Sequence, residues 1–433
     1  MKRLAVIPLL VAGAVMAQPD LGPAPVFPEM DPARVELGWL LFYDPILSGN
    51  LNISCASCHH PRFGTSDGLS LGVGEGGQQL GPDRQVTEVN TPEQRIPRNA
   101  PALFNLGAAE FTVMFHDGRL EADPDHPDGM RTPLGQEMLS GFDSVLSAQA
   151  MFPVLSGDEM AGHYSENEVS QAVRLGHLSL EGGAWDRISA RVASVPEYRA
   201  RFDAVLGQGA PIRFTDISNV LADFIRVEWR ADDSAFDRYM RDGTPLTAEA
   251  TRGMDLFYGK AGCGSCHSGW FQSDHDFHAI AMPQIGPGKA ARFEDHARDE
   301  GRMRVTGRAE DAYKFRTPSL RNVVQTGPYG HAGAYADLEA TVRHHLDPVA
   351  ALQSYDPALA VLTVLPGAQD LRVNSDPAEL ARIAAANELT PTSLSDAEVQ
   401  DILNFLHSLT DETWRQGRLG VPETVPSGLP VDQ

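Results

Sequence analysis

Cys55-Ala56-Ser57-Cys58-His59 and Cys263-Gly264-Ser265-Cys266-His267 use all four cysteines of this 433-residue chain. In an exported protein, Cys-x-x-Cys-His marks covalent attachment of c-type haem: two thioethers fix the porphyrin and the histidine ligates iron from one side. Two disulfides or a pair of redox-active Cys-x-x-Cys motifs are the rival uses of four cysteines. Histidine makes up 14 of the 433 residues, so two chance placements after such pairs would occur on the order of once per thousand. The chain therefore reads as a dihaem redox protein, and its chemistry turns on what each iron meets on its other face.

The first residues fit an export signal. Lys2 and Arg3 form a basic start, Leu4 to Val15 is apolar, and Val15-Met16-Ala17 offers small residues for cleavage. The reading is a signal peptide over 1–17, cleaved after Ala17, with periplasmic delivery; an uncleaved anchor is the alternative. No later stretch approaches the length of an apolar membrane span, so no integral membrane span is expected. The net charge is −23, and loss of Lys2 and Arg3 takes it to −25. Such acidity disfavours nucleic acid and anionic membrane and permits steering by a basic redox partner.

The chain repeats itself. Asp31-Pro32 starts a helix with Asp as cap and Pro at the first position, and Val35, Gly38, Trp39 and Phe42 fall on one face ahead of the first haem motif. Thr247 caps a second helix whose Ala250, Gly253, Met254 and Phe257 keep that spacing ahead of the second motif. Pro101-Ala102-Leu103-Phe104-Asn105 is echoed by Pro318-Ser319-Leu320-Arg321-Asn322, and Phe115-His116-Asp117-Gly118 by Gly330-His331-Ala332-Gly333. The expected fold is mainly α: two pseudo-symmetric cytochrome c-type haem domains with long loops. Boundaries are drawn at 18–210, 211–415 and an extended, Pro-rich tail over 416–433. Phe214 to Tyr239 reads as helical, Ser395 with Glu398 as a capping box, and glycine-rich 64–81 as a flexible loop beside the first haem.

These elements, with Arg98-Asn99-Ala100-Pro101, Phe115-His116-Asp117-Gly118-Arg119, Thr317-Pro318-Ser319-Leu320-Arg321-Asn322 and Gly327-Pro328-Tyr329-Gly330-His331, resemble the bacterial dihaem cytochrome c peroxidases and MauG over roughly residues 31–410. The resemblance implies two covalent haem c groups. The N-terminal haem, with proximal ligand His59, is the peroxidatic one; the C-terminal haem, with proximal ligand His267, transfers electrons. The family's Gln and Glu, ten residues apart, correspond to Gln149 and Glu159. Glu159 is then the acid–base residue that moves a proton between the peroxide oxygens, and Gln149 its distal companion.

Three positions depart from the peroxidase pattern. The loop that carries an iron-blocking His in many relatives is Leu71-Gly72-Val73-Gly74-Glu75-Gly76-Gly77 here. It has no His, so the first iron is expected to be open or water-bound without reductive activation; Glu75 is the one loop side chain weighed as approaching it. The distal ligand of the second haem, usually Met, corresponds to His345, which predicts His267/His345 ligation with His344 as the neighbouring rival. His lowers a haem potential relative to Met. The inter-haem Trp is replaced by His116, which puts electron hopping there in doubt and leaves the imidazole free to hydrogen-bond a haem propionate; Trp270 is weighed as a surface exit. A calcium ion between the haems would use the Asn99 side chain and the carbonyls of Thr326 and Pro328.

Two functions follow. One is a peroxidase that reduces hydrogen peroxide with electrons from a small cytochrome c or cupredoxin. The other is a MauG-like oxidase that stores oxidising equivalents over both haems and oxidises an aromatic residue of a protein substrate. A dihaem electron carrier is the third reading, disfavoured by an open iron beside Glu159.

Overall fold

The computed structural model describes residues 19–290, 294–415 and 417–433; the leader expected over 1–17 lies outside them. Thirteen helices are found among the described residues, joined by loops and single 3-10 turns. Helix α1 (Pro32–Tyr43) starts as expected, with the Asp31 carboxylate accepting from the Ala33 N–H at 2.9 Å. Next come α2 (Val145–Gln149), α3 (Glu168–Arg174), α4 (Ala184–Ser194), α5 (Pro196–Leu206), α6 (Phe214–Glu228) and α7 (Ala235–Asp242). The second half holds α8 (Ala248–Tyr258), α9 (Met303–Thr306), α10 (Leu338–Leu346), α11 (Pro348–Gln353), α12 (Pro377–Ala386) and α13 (Asp396–Ser408). Strands are confined to three small antiparallel sheets, of which Phe277–His278 with Phe315–Arg316 borders the second haem motif.

The halves share one construction. In the first, α1 crosses α6 so closely that a Cβ on Gly38 would lie 1.8 Å from the Val220 carbonyl oxygen. In the second, α8 crosses α13, and a Cβ on Gly253 would lie 1.8 Å from the Asp401 carbonyl oxygen. Asn105 and Asn322 both adopt left-handed backbone, at φ 60° and 58°, a conformation Asn tolerates better than most residues. Each ties the end of the later helix of its pair. The Asn105 N–H donates to the Trp229 carbonyl and its Oδ1 accepts from the Ala231 N–H. The Asn322 N–H donates to the Leu409 carbonyl and its Oδ1 accepts from the Asp411 N–H.

The sequence division at 210 puts helix α6 in the second domain. Its buried face (Phe214, Ile217, Leu221, Phe224) instead packs with Leu37, Leu41 and Phe42 in the first core. The helical stretch 214–239 also breaks at Arg230–Asp233, because Asn105 takes the Ala231 N–H and Asp411 takes the N–H groups of Asp232 and Asp233. The tail is extended, and it lies on the first half: Val421, Val425 and Leu429 pack on its core, the Ser427 hydroxyl donates to Asp44 at 2.7 Å, and Ser57 hydrogen-bonds Asp432.

The glycine-rich loop differs most from expectation. Thr65, Ser66, Ser70, Leu71, Val73 and Glu75 are buried. Ser70 joins the second half through its N–H to the Val361 carbonyl and its hydroxyl to the Gly333 carbonyl. A Cβ on Gly74 would meet the Asp158 carbonyl at 1.9 Å. Glycine serves here for close approach between chain segments rather than for mobility.

Candidate haem sites and the cavity between them

Each Cys-x-x-Cys-His motif forms a 3-10 turn, Cys55–Ser57 and Cys263–Ser265, followed by a histidine whose N–H donates to the carbonyl of the first cysteine, at 3.0 Å for His59 and 2.9 Å for His267. None of the four cysteines is in a disulfide. Burial pushes the Cys55 and Cys58 thiols up to about 12 and Cys263 to about 11. Reactive Cys-x-x-Cys pairs have lowered thiol pKa values, the opposite direction.

The histidines are oriented in one way. His59 Nδ1 lies 3.0 Å from the Thr65 carbonyl and His267 Nδ1 lies 2.9 Å from the Gln272 carbonyl. A ring held through Nδ1 presents Nε2, as ligating histidines generally do. His345, on α10, is held the same way, Nδ1 to the Thr341 carbonyl at 2.8 Å. The ring centroids of His267 and His345 are 6.4 Å apart. Metal–imidazole bonds of about 2.0–2.1 Å on both sides of one ion, with the ring radii added, span very nearly that gap. His344 cannot compete: its Nδ1 meets the Tyr335 hydroxyl at 3.0 Å and its Nε2 the Ile280 carbonyl at 2.8 Å.

A cavity of about 350 Å³ opens between these histidines and continues toward the first half, within the size range of small-molecule sites. Phe257, Ile280, Leu338 and Leu406 give it an apolar wall beside Cys263 and Cys266, and Asn99, His116 and Gln149 reach it from the first half. The donor set and the mostly apolar slot fit a haem.

The surroundings of the first motif differ. Glu159 is partly buried and within electrostatic reach of the Cys58 sulfur, Arg119 and Lys289. Burial raises its pKa, and the two cations offset part of that rise. Lys289 is itself pushed down by burial and by Arg119 and Arg98. Glu75 turns elsewhere. Its Oε1 accepts from the side-chain amides of Asn50, Asn52 and Asn90 at 2.8, 2.6 and 3.0 Å, and its Oε2 lies 3.2 Å from His163 Nε2. A carboxylate so engaged is not offered to an iron. The clamp also fixes the loop against the Glu159 segment, because the Glu75 N–H donates to the Glu159 carbonyl at 2.9 Å.

His116 sits in the cavity wall with Nε2 3.1 Å from the Asn99 carbonyl. Burial and the Arg98 charge push its pKa down to about 4, so it is a neutral imidazole. The amide nitrogen of Asn99 faces the carbonyls of Leu69 and Ser70 at 2.8 and 3.2 Å, which turns its Oδ1 the other way. Asn99, Thr326 and Pro328 all border the cavity, an oxygen-donor set suited to a hard cation. Trp270 donates from its indole to the Gly22 carbonyl at 3.3 Å.

Sequence reasoning missed several parts. Arg98 binds Asp299 through two nitrogens at 2.6 and 2.8 Å and Asp117 at 2.7 Å. Burial would raise the Asp299 carboxyl, but the Arg98 charge overcomes this and holds it well below the usual range. Arg98 and Asp117 lie in quoted motifs, but nothing local pointed to Asp299, 201 residues away. Lys289 and the partners of Glu75 are likewise signalled by no motif spacing, and Arg316, though next to the quoted stretch 317–322, was not singled out.

Comparison with known proteins gives these features a family. The family model for di-haem cytochrome c peroxidase matches residues 32–244. The methylamine utilization protein MauG of Methylorubrum extorquens is 32% identical over 333 residues, covering 76% of this chain and 73% of that protein. The Escherichia coli cytochrome c peroxidase Ccp is 30% identical over 316 residues, covering 72% and 53%. Among solved structures, a MauG-like protein associated with microbial copper homeostasis superposes with a TM-score of 0.59 at 26% identity, covering 92% of this chain and 96% of that one. The diheme peroxidase BthA of Burkholderia thailandensis shares the fold, with a TM-score of 0.56 at 22% identity over 94% and 92%. The chain belongs to the di-haem cytochrome c peroxidase family, whose two haem c groups correspond to its two Cys-x-x-Cys-His motifs.

Proposed function

We propose that the chain is an exported, periplasmic peroxidase in which the haem at His59 meets hydrogen peroxide and the haem at His267 relays electrons. The observation that carries this is the contrast between the surroundings of the two motifs: a second imidazole 6.4 Å from His267, and within electrostatic reach of Cys58 a partly buried carboxyl whose pKa burial raises. The first iron is read as open, the second as closed by His267 and His345. Bound haem supplies the two-electron reduction of peroxide. Glu159 takes the proton from the near peroxide oxygen and returns it to the far one as water leaves; Gln149 orients the peroxide. Arg119 and Lys289 keep Glu159 ionisable despite burial. Calcium is read as held by Asn99 Oδ1 and the carbonyls of Thr326 and Pro328. We divide the chain into a first unit ending near Ala231, with the tail folded onto it, and a second unit over the remainder to about residue 411. No helix of the described residues is long and apolar enough to cross a membrane.

The test is steady-state peroxide reduction by the purified holoprotein with reduced small cytochromes or cupredoxins as donors. Saturable turnover supports the reading. A MauG-like oxidation of a partner's aromatic residue is the second reading, favoured by His116 and His345 where the peroxidases have Trp and Met. It predicts poor turnover with any donor and a long-lived spectral change at both haems after one equivalent of peroxide.

A further inference from the structure

Arg316 stands apart from the buried arginines: it is partly buried and left open to a cavity. Arg95, Arg98 and Arg321 each bind a carboxylate, at 2.8, 2.6 and 2.7 Å, and Arg84 is held by two carbonyls at 2.6 and 2.7 Å. Arg316 lines the cavity beside the second haem motif and has no carboxylate partner among the described residues. Its guanidinium has only long contacts, to the Phe115 carbonyl at 3.4 Å and the Thr317 carbonyl at 3.3 Å. Burial with no compensating charge pushes it down to about 10. A guanidinium drawn partly out of water without a counter-ion is unfavourable. It is nevertheless firmly placed: the Arg316 N–H donates to the His116 carbonyl at 2.8 Å across the two halves.

A second group on the same wall is also unmatched. His331 is 5% exposed, and its Nε2 has no hydrogen-bond partner. Its ring stacks on Phe315, the neighbour of Arg316, with centroids 3.7 Å apart and planes 8° apart, so it cannot turn to find one cheaply. A cation and a ring nitrogen, both unspent, border one cavity that is otherwise mostly apolar.

We propose that Arg316 and His331 Nε2 form a carboxylate site that holds a propionate of the haem attached at Cys263 and Cys266. This rests on the two-haem reading and assigns these residues a role in it. Propionates are the anionic groups of haem, and they lie on the edge opposite the thioethers. Arg316 and His331 line the same cavity as Cys263 and Cys266. Arg316 then supplies the positive charge that offsets the propionate and favours the reduced iron, raising that haem's potential.

The test is a potentiometric titration of the holoprotein, with haem content measured separately. R316Q with two haems per chain should lower the midpoint of the low-spin haem, reducing its reduction equilibrium constant about tenfold, 59 mV for a one-electron couple. R316K, which keeps the charge, should recover most of that change. An unmoved midpoint in fully loaded R316Q overturns the proposal. If R316Q does not load, His331→Leu decides: a smaller fall at the same haem supports the site, and no change rejects it. A wild-type midpoint that shifts with chloride, in a way R316Q abolishes, assigns the site to a free anion and overturns the propionate assignment. Fewer than two haems in the wild type would fail the two-haem reading itself, which the haem count reports independently.

Discussion

The two haem regions are built from the same parts up to the proximal histidine and diverge beyond it. Both have a helix crossing closed on a glycine, a 3-10 turn of cysteines, a histidine held through Nδ1 by a main-chain carbonyl, and a left-handed Asn tying the next helix. On the far side, the second region has α10 delivering His345, while the first has a buried loop packed against the Glu159 segment. On the proposed function, the shared parts hold each haem on its proximal side and the distal segment sets what each iron does. The sharpest way to break this comparison is to remove the distal group on each side.

The largest effect is expected at the first site. Glu159→Gln keeps shape but cannot shuttle a proton, and should slow peroxide reduction by about 10²–10⁴-fold with both haem spectra unchanged. The wild-type rate should fall on the acid side above the ordinary Glu pKa of about 4.3, because burial raises the Glu159 pKa and the carboxylate is the active form. An acid limb at or below that value, or full activity in the Gln variant, would remove Glu159 from the chemistry.

At the second site His345→Ala should abolish the low-spin signal of one haem. His344→Ala should leave ligation intact and cost about 2 kcal/mol, since it strands the buried Tyr335 hydroxyl and the Ile280 carbonyl. Spectra and urea unfolding of both variants separate ligation from packing. The reverse pattern would exchange the two histidines.

The shared scaffold can be tested at its closest approach. Gly38→Ala and Gly253→Ala each place a Cβ 1.8 Å from a main-chain carbonyl. Each should destabilise by about 3 kcal/mol, the upper end of overpacking costs. If the halves are equivalent, the two losses match, with Gly38→Ala perturbing the His59 haem and Gly253→Ala the His267 haem. Strongly unequal losses would limit the equivalence to appearance.

Much of this was legible in the sequence because it is local. A cap, a helical face and a Cys-x-x-Cys-His turn each lie within about ten residues, and the structure carries α1, α8 and α13 with their caps Asp31, Thr247 and Ser395. What was missed depends on long-range pairing. Helix α6 joins the first core because Gly38 meets Val220, a contact no spacing in 211–240 announces. The loop 64–81 read as flexible from its glycines, yet those glycines admit neighbours that only the fold supplies. Asp299 and Arg316 reach the seam from far along the chain, and their charge alone could not distinguish a solvated side chain from a buried one.

The smallest expected effect concerns the loop itself. By the resemblance to the family, Glu75 occupies the stretch of the iron-blocking His, and three asparagine amides hold its carboxylate. Asn52→Ala removes the shortest of these bonds, at 2.6 Å, and should cost about 1.5 kcal/mol, as for a hydrogen bond to a charged group. The spectrum of the oxidised protein should not change, because Asn50 and Asn90 still hold the carboxylate. Asn52→Ala combined with Asn90→Ala tests the other half of the comparison. If the clamp keeps the first iron open, releasing Glu75 should let the loop move and bring a second ligand to that iron, seen as loss of its high-spin signal. A double variant that unfolds more readily but keeps the high-spin signal would show that the loop needs no clamp to stay clear of the iron, and that the contrast between the two haem regions lies in the absent His alone.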